Sequence, residues 1–404
     1  MRPFRKWQGV FQSAVLFSLA IFLWPTEADG QQRHSYSARY GRRTNVQHGI
    51  FHSQQLNQDI EYSIYLPPSY YDQPQRCYPI LYYIHGFDLR GKAHMDWVNW
   101  HLDATLDALI TEGAVQEMIV VIPESFITGI VVDWGVPPER SMPVAVLTFP
   151  FRAVRGLFRS ILDPTYFGSY LFIHRWNLEP ADYAEVLIAD FIPFIEKRYR
   201  AKEGVSHRAI SGFSTGGYSS LSIAFRHPEL FDSVSAHTPM LVPASPFSAE
   251  ARDFFIEYDP QHVQHTTHQF IINLLKRIFI NEETWDRHDP LTLASRQHLE
   301  NLPTYIDVAE LDKRGYDIGT SLLVQSLLER NVPVEFELVR GLPPHSNHTY
   351  PGYLNGRLIA ELANGKTDEE LNRFFNWRGV APLINPDVQR IEYSLRFHSR
   401  EFSQ

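Results

Sequence analysis

The residue of this sequence whose surroundings point most directly to chemistry is a serine flanked by glycines. It stands in Gly212-Phe213-Ser214-Thr215-Gly216, after a short stretch that predicts a strand and before one that predicts a helix. Small residues are needed where a chain turns so tightly from strand to helix. A hydroxyl at the apex of such a turn, above a helix N-terminus, is placed to act as a nucleophile in acyl transfer.

A serine nucleophile needs an acid that orients its base, and in folds with this turn the acid follows the serine along the chain. The segment 305–315 contains three carboxylates. Asp307 falls inside a predicted strand, where we expect its side chain to face the core or to be paired. Asp312 lies in the loop beyond that strand and is the preferred acid, with Glu310 as the alternative.

The base is expected in the loop after the last predicted strand, 334–339. That loop contains two histidines, His345 and His348. His345 is closer to the strand, whereas His348 precedes Thr349 and Tyr350, where a following helix could begin. We favour His348 as the base and keep His345 as the alternative.

The developing oxyanion needs two backbone donors. One is expected from the N–H of Thr215, directly after the nucleophile, and the other from an earlier strand-to-helix loop. His85-Gly86-Phe87 follows a buried apolar run at 79–84, so we assign the second donor to the N–H of Phe87. His85 is expected to brace this loop rather than to act as the base.

Short buried strands alternate with helical segments along most of the chain, which predicts a parallel sheet with crossover helices. The predicted strands are 59–66, 79–84, 118–123, 208–211, 230–236, 303–308 and 334–339. The predicted helices are 100–112, 182–200, 218–227 and 320–331. The order of elements and the Ser-Asp-His order predict an α/β-hydrolase fold with a mostly parallel central sheet, helices on both faces, and helical or loop insertions.

Six segments carry a resemblance to a known family: 65–70, 84–86, 190–196, 211–218, 225–231 and 307–312. They resemble the esterase D-like putative-esterase family of α/β-hydrolases, which includes feruloyl and acetylxylan esterases, enterochelin esterases and mycolyltransferases. The resemblance covers roughly 48–350, is most specific around Ser214, and includes 391–398 as the family's closing helix. Two departures stand out, because Ala309 replaces a usual Gly and no Gly directly precedes His345 or His348.

Composition restricts the class of protein. The 404 residues carry a formal net charge of -9, which argues against nucleic-acid binding because phosphate binding requires a basic surface. The single cysteine, Cys77, excludes an intrachain disulfide and a cysteine-based zinc cluster, and we expect it to be buried. His262, His265 and His268 have helical spacing, but a packed or solvated helix face is preferred to a metal site.

The N-terminus has the three-part layout of a secretory signal. Basic residues precede an apolar run that Pro25 ends, and small residues follow at 28–30. We therefore expect a signal peptide at 1–30, a flexible leader at 31–47 and one catalytic domain at 48–404, with insertions at about 125–170, 245–300 and 352–385. The mature protein is expected to be secreted or periplasmic, without a stable membrane span.

These patterns together predict a serine carboxylic-ester hydrolase that needs no metal or organic cofactor. Its expected partner is a small-molecule or glycan-linked ester. Two other functions stay open: transfer of the acyl group to a sugar or lipid acceptor, and a non-catalytic extracellular binding module on the same fold.

Overall fold

The fold is given by a computed structural model, in which the chain divides into two compact units. The structure describes residues 45–86, 93–95, 102–124, 183–251, 272–273, 275–276, 278–279, 281–309, 312, 315–339 and 390–402. The first unit comprises Met1–Arg43, Trp134–Ala181 and Ala244–Trp285. Within it, Phe279 packs edge-on against the buried Trp285, with ring centroids 4.9 Å apart. The second unit comprises Thr44–Asp133, Asp182–Pro243 and Asp286–Gln404.

The second unit contains an eight-stranded sheet with the order β1-β2-β4-β3-β5-β6-β7-β8. The strands are β1 (Val46–Ser53), β2 (Gln58–Tyr65), β3 (Ile80–Ile84), β4 (Ile119–Pro123), β5 (Arg208–Phe213), β6 (Ser233–His237), β7 (Thr304–Ala309) and β8 (Val334–Val339). β1 and β2 are antiparallel to their neighbours, and β3 to β8 are parallel. The mostly parallel sheet predicted from the sequence is confirmed.

Helices lie between these strands along the chain, and the last described helix follows β8. They are α1 (Leu102–Thr111), α2 (Tyr183–Glu185), α3 (Ile192–Arg198), α4 (Thr215–Arg226), α5 (Glu282–His288), α6 (Pro290–Arg296), α7 (Tyr316–Glu329) and α8 (Arg390–Glu401). A π-helical segment, Val186–Phe191, separates α2 from α3. The predicted helix 182–200 is therefore not one regular helix, because its hydrogen-bond pattern changes at 186–191. Pro193 lies in the first turn of α3, where its missing N–H is tolerated.

Apolar packing places helices on both faces of the sheet, as the sequence predicts. On one face, side chains of β3, β4 and β5 form a cluster with α1 and α8. That cluster contains Leu81, Tyr83, Val120, Ile122, Ala209, Phe213, Leu102, Leu106, Leu109, Ile391 and Leu395. On the opposite face of β3, Tyr82 packs against Phe191. The alternation follows from the two-residue period of a strand, which sends successive side chains to opposite faces.

The structure differs from the sequence predictions at further places, including the start of β6 at Ser233 rather than 230 and of α7 at Tyr316 rather than 320. β1 was not predicted, because most of its side chains are exposed or half-exposed and no apolar run marks it. α4 begins at Thr215 rather than Tyr218, directly after the turn that holds Ser214. The prediction that Cys77 is buried is wrong: Cys77 is exposed, in a surface loop that ends before Tyr78 bridges to Ala201.

Several predictions concern residues outside the described ranges. These are the signal peptide 1–30, the leader 31–47 up to residue 44, the insertions at 125–170 and 352–385, and His262, His265 and His268. Of the segment predicted as the insertion 245–300, the structure describes 245–251 and most residues from 272 onward. The latter include α5 and α6. None of the helices in the described ranges is long and apolar enough to cross a membrane.

The contact between α8 and the sheet is unusually polar. His398 is fully buried, and its ring nitrogens lie 2.8 Å from the hydroxyls of Ser233 and Ser235 on β6. Burial lowers the pKa of His398 to about 3, and the nearby His237 adds to the lowering. The helix is therefore held to the sheet by a neutral imidazole.

Because His398 is neutral when folded, we expect the free energy of unfolding to fall in acid. The pKa of His398 rises from about 3 to 6.5 on unfolding, so the unfolded state binds more protons between these values. The contribution of neutral His398 to the free energy of unfolding is complete above about pH 6.5 and is lost as the pH falls towards 3. In urea unfolding at pH 6, 5 and 4, we expect His398→Asn to reduce the slope of unfolding free energy against pH by up to about 1.4 kcal/mol per pH unit.

His298→Asn is the matched control, because the His298 side chain is 93% exposed. It should leave the slope unchanged. Equal slopes for the wild type and His398→Asn would contradict the prediction.

Candidate active site

Ser214 is the one residue between β5 and α4. β5 ends at Phe213 and α4 begins at Thr215. Ser214 has φ 57 and ψ -116, a conformation that non-glycine residues seldom adopt. The strand, turn and helix predicted around this serine are present, and the turn is as sharp as a single residue allows.

Two glycines allow the chain to turn so closely. A Cβ on Gly212 would come closer than 3.0 Å to the backbone of Gly216, and a Cβ on Gly216 would do the same to the carbonyls of Ile84 and His85. Gly216 therefore packs directly on the end of β3. This contact places the first turn of α4 beside the loop from which the second oxyanion donor is predicted.

Backbone hydrogen bonds hold Ser214 on both sides of its Cα. Its N–H donates to the carbonyl of His237 at 3.0 Å, and its own carbonyl accepts from the N–H of Met240 at 3.0 Å. The same carbonyl also accepts from the N–H of Tyr218 at 3.0 Å, as the first bond of α4. The end of β6 and the segment after it thus fix the position of the serine.

The loop after β3 is braced by a carboxylate that the sequence analysis missed. The Nδ1–H of His85 donates to the Gly86 carbonyl at 2.6 Å, and its Nε2 lies 3.4 Å from Oε1 of Glu124. Glu124 also accepts from His94, from the backbone N–H at 3.1 Å and from Nδ1 at 2.8 Å. Both ring nitrogens of His85 have bracing contacts, consistent with the role predicted for it.

The hydrogen bonds of this group determine the charge of Glu124. Burial raises the pKa of Glu124, but hydrogen bonds from His85 and His94 outweigh burial and hold the pKa well below its usual range. The one available sequence signal was a polar residue directly after a buried parallel strand, β4, at the edge where ligands bind. Phe87, the predicted second donor, lies outside the described residues.

Two of the three carboxylates of the segment 305–315 lie in the described part of the chain and have different surroundings. Asp307 lies in β7 and is paired with His237 and Arg390, which confirms that it is a paired core residue. Burial raises the pKa of Asp307, but Arg390 and His237 outweigh it and lower the pKa to about 2. Asp312 lies three residues beyond the end of β7 and is buried, and its carbonyl accepts from Gly315 N–H at 2.9 Å. Glu310 is outside the described residues.

The remaining predicted residues follow β8, which is parallel to β7 and adjacent to it. β8 ends at Val339, and both His345 and His348 lie outside the described residues. Because parallel strands end at one edge of a sheet, the loops after β3, β5, β7 and β8 begin at the same edge. The structure thus brings Ser214, Thr215, Asp312 and the end of β3 to this edge. Among the described residues, no group of three or more His, Cys, Asp or Glu side chains could hold a metal ion.

Sequence comparison identifies the family of the chain and a relative. The "Putative esterase" family model matches residues 53–128 and 165–364. An endo-1,4-beta-xylanase/feruloyl esterase of Xylanibacter ruminicola is 27% identical over 201 residues, which are 48% of this chain and 22% of that protein. The chain thus spans about a fifth of that relative's length.

Solved structures show the same fold. The S-formylglutathione hydrolase of Agrobacterium tumefaciens aligns with a TM-score of 0.51 at 14% identity, covering 90% of this chain and 98% of that one. Brefeldin A esterase, a bacterial homologue of human hormone-sensitive lipase, aligns with a TM-score of 0.51 at 14% identity, covering 96% and 86%. The chain has the α/β-hydrolase fold, and with more than half of its length matched by the family model it belongs to the "Putative esterase" family.

Proposed function

We propose that this chain hydrolyses carboxylic esters through an acyl-enzyme formed on Ser214. The observation that carries the proposal is the conformation of Ser214, held at φ 57 between β5 and α4 by backbone hydrogen bonds to its N–H and its carbonyl. A non-glycine residue in this conformation costs about 1–3 kcal/mol and persists where the surroundings enforce it, commonly at functional sites. Membership of the family supports the same chemistry.

In the proposed reaction, Ser214 Oγ attacks the ester carbonyl carbon while His348, or His345, accepts the hydroxyl proton. The carbonyl electron pair moves to the oxygen, which accepts hydrogen bonds from the N–H groups of Thr215 and Phe87. The intermediate collapses, the C–O bond to the alcohol breaks, and the histidine returns the proton to the leaving oxygen. Water then repeats the attack on the acyl-enzyme and releases the acid and free Ser214.

The strand order supports these roles. β6 separates β5 from β7, so the strands that lead to Ser214 and Asp312 lie about 10 Å apart, twice the usual strand spacing. That separation leaves room for an imidazole between hydroxyl and carboxylate. Thr215 is the first residue of α4, and the first N–H groups of a helix have no acceptor within the helix.

The proposed substrate is a small-molecule or glycan-linked ester. It is supported by the relative named as an endo-1,4-beta-xylanase/feruloyl esterase, whose name combines a glycan with an aryl ester. The pattern of residues 1–30 supports an exported enzyme.

Replacing the nucleophile tests the proposal directly. Ser214→Ala should lower kcat/KM on p-nitrophenyl acetate by about 10⁴-fold or more, because the attacking oxygen is gone. A fluorophosphonate should label the wild type on the peptide that contains Ser214 and should not label the variant. Ser321→Ala, at an exposed serine of α7, is the control and should retain wild-type activity. Retained activity in Ser214→Ala would refute the proposal.

The acid is tested by a pair of variants. Asp312→Asn should lower kcat by about 10³–10⁴-fold with little change in KM, because the histidine loses its orienting carboxylate. Glu310→Gln should change kcat by less than about tenfold. The opposite result in steady-state kinetics would move the acid to Glu310.

The base is tested in the same way. His348→Ala should lower kcat by about 10⁴-fold or more, because the preferred base for the serine proton is then missing. His345→Ala should retain most of the activity. If the larger loss followed His345→Ala, the base would be His345.

A further inference from the structure

The first residue of α8, Arg390, contacts the sheet through a buried pair of opposite charges. Arg390 and Asp307 are both fully buried. Oδ1 of Asp307 accepts from Arg390 Nε at 2.8 Å and also from Nη2, and Oδ2 accepts from His237 Nδ1 at 2.6 Å. Removing two charges from water is costly, and a buried ion pair is often no more stabilising than apolar residues of similar size.

This pair is linked to the nucleophile through two consecutive residues, His237 and Thr238. The Thr238 hydroxyl accepts from Arg390 Nη2 at 2.5 Å, and its N–H donates to the Asp307 carbonyl at 2.7 Å. Thr238 directly follows His237, whose carbonyl holds the N–H of Ser214. The charged pair therefore fixes a segment that in turn fixes the serine backbone.

Thr238 needs such support. Its φ is 43, a positive value that non-glycine residues seldom adopt, as is the φ of 57 at Ser214. Unfavourable backbone conformations persist only where the surroundings determine them strongly. Thr238 is held from three directions: its N–H by β7, its hydroxyl by α8, and its preceding carbonyl by the turn at Ser214.

The same cluster contains a second Ser-His-Asp arrangement, which does not form a site. His237 Nε2 lies 3.0 Å from the Ser394 hydroxyl, and His237 Nδ1 contacts Asp307. Ser394 is fully buried and its hydroxyl also contacts Tyr83 and the Ile391 carbonyl. No substrate reaches this hydroxyl, so the hydrogen bonds of His237 hold α8 to the sheet.

We propose that Arg390 is a positioning residue for the reaction at Ser214, acting through Asp307 and Thr238. The proposal rests on the ester hydrolysis proposed above. Arg390 holds the backbone at 237–238, and this backbone holds the Ser214 N–H at the geometry from which the hydroxyl attacks. Its effect is on the reacting serine rather than on binding of the ester.

The test separates kcat from KM in the full-length chain. Arg390→Met removes the donors to both Asp307 and Thr238. A displacement of the nucleophile by about 1 Å costs about 100-fold in rate, so we expect kcat on p-nitrophenyl acetate to fall about 10- to 100-fold. The rate of fluorophosphonate labelling should fall by a similar factor, while KM stays within about twofold.

Arg400→Met is the matched control, because Arg400 lies on the same helix and forms an exposed ion pair with Glu335. It should keep wild-type kcat and labelling rate. Circular dichroism and thermal unfolding establish that each variant is folded at the assay temperature.

Two further variants distinguish positioning from general support of the fold. Asp307→Asn combined with Arg390→Met removes both buried charges and should recover thermal stability lost in Arg390→Met, because no unpaired charge remains. Positioning requires kcat to stay low in this double variant. Thr238→Val keeps the charges and the side-chain shape, removes only the hydroxyl, and should lower kcat about 3- to 10-fold, as expected for a lost hydrogen bond.

Wild-type kcat in both folded Arg390→Met and Thr238→Val would overturn the proposal, as would a double variant that recovers kcat together with stability. If Arg390→Met does not fold, Thr238→Val alone decides between these outcomes. An inactive Ser214→Ala beside fully active Arg390 and Thr238 variants would refute the positioning role alone. An active Ser214→Ala would refute the proposed function itself.

Discussion

The close approach of Gly216 to the end of β3 is the contact on which the site depends. With no Cβ at Gly216, the first turn of α4 rests on the carbonyls of Ile84 and His85. One contact thus sets the distance between the serine turn and the loop after β3. Because β3 and β5 are adjacent parallel strands, the sheet already brings both loops to one edge, and the glycine brings them into contact. Any larger residue at Gly216 would push the serine turn away from the loop after β3, where the second oxyanion donor is proposed.

A second layer of polar contacts lies beneath this edge, and it uses residues far apart in the chain. Glu124 holds the loop after β3 through two histidines, whereas Asp307 and Arg390 hold the segment after β6. Both carboxylates are kept ionised by their partners against the effect of burial. A buried carboxylate with its partners favours one arrangement of the loop that carries them. Any displacement of the loop would leave a charge unpaired in a medium of low dielectric. The two carboxylates thus stabilise the two loops that the proposed reaction requires.

Local signals allowed much of the fold to be predicted. The runs that form β3, β4 and β8 are continuous or alternating, and their predicted bounds fall within one residue of the observed ones. The serine turn was predictable because its glycines and its flanking elements are neighbours in sequence. β1 was missed because an edge strand that pairs on one side needs no apolar run. The prediction that Cys77 is buried was wrong because it relied on the residue type, and cysteine is usually buried. Cys77 is exposed because it lies in a surface loop.

The polar contacts could not be predicted, because the prediction of a core assumes that buried faces carry apolar side chains. Asp307 was expected to face the core or to be paired, but its partner Arg390 is 83 residues away along the chain. The face of α8 that packs on β6 and β7 carries Arg390, Ser394 and His398 where apolar residues are expected. Polar residues on a helix face predict that the face is exposed. Here it is buried because Ser233, Ser235 and Asp307 of the sheet form hydrogen bonds with it. α8 therefore packs on the sheet through two kinds of contact. Ile391 and Leu395 join the apolar cluster of β3, β4 and β5, whereas Arg390, Ser394 and His398 form hydrogen bonds with polar side chains of β6 and β7.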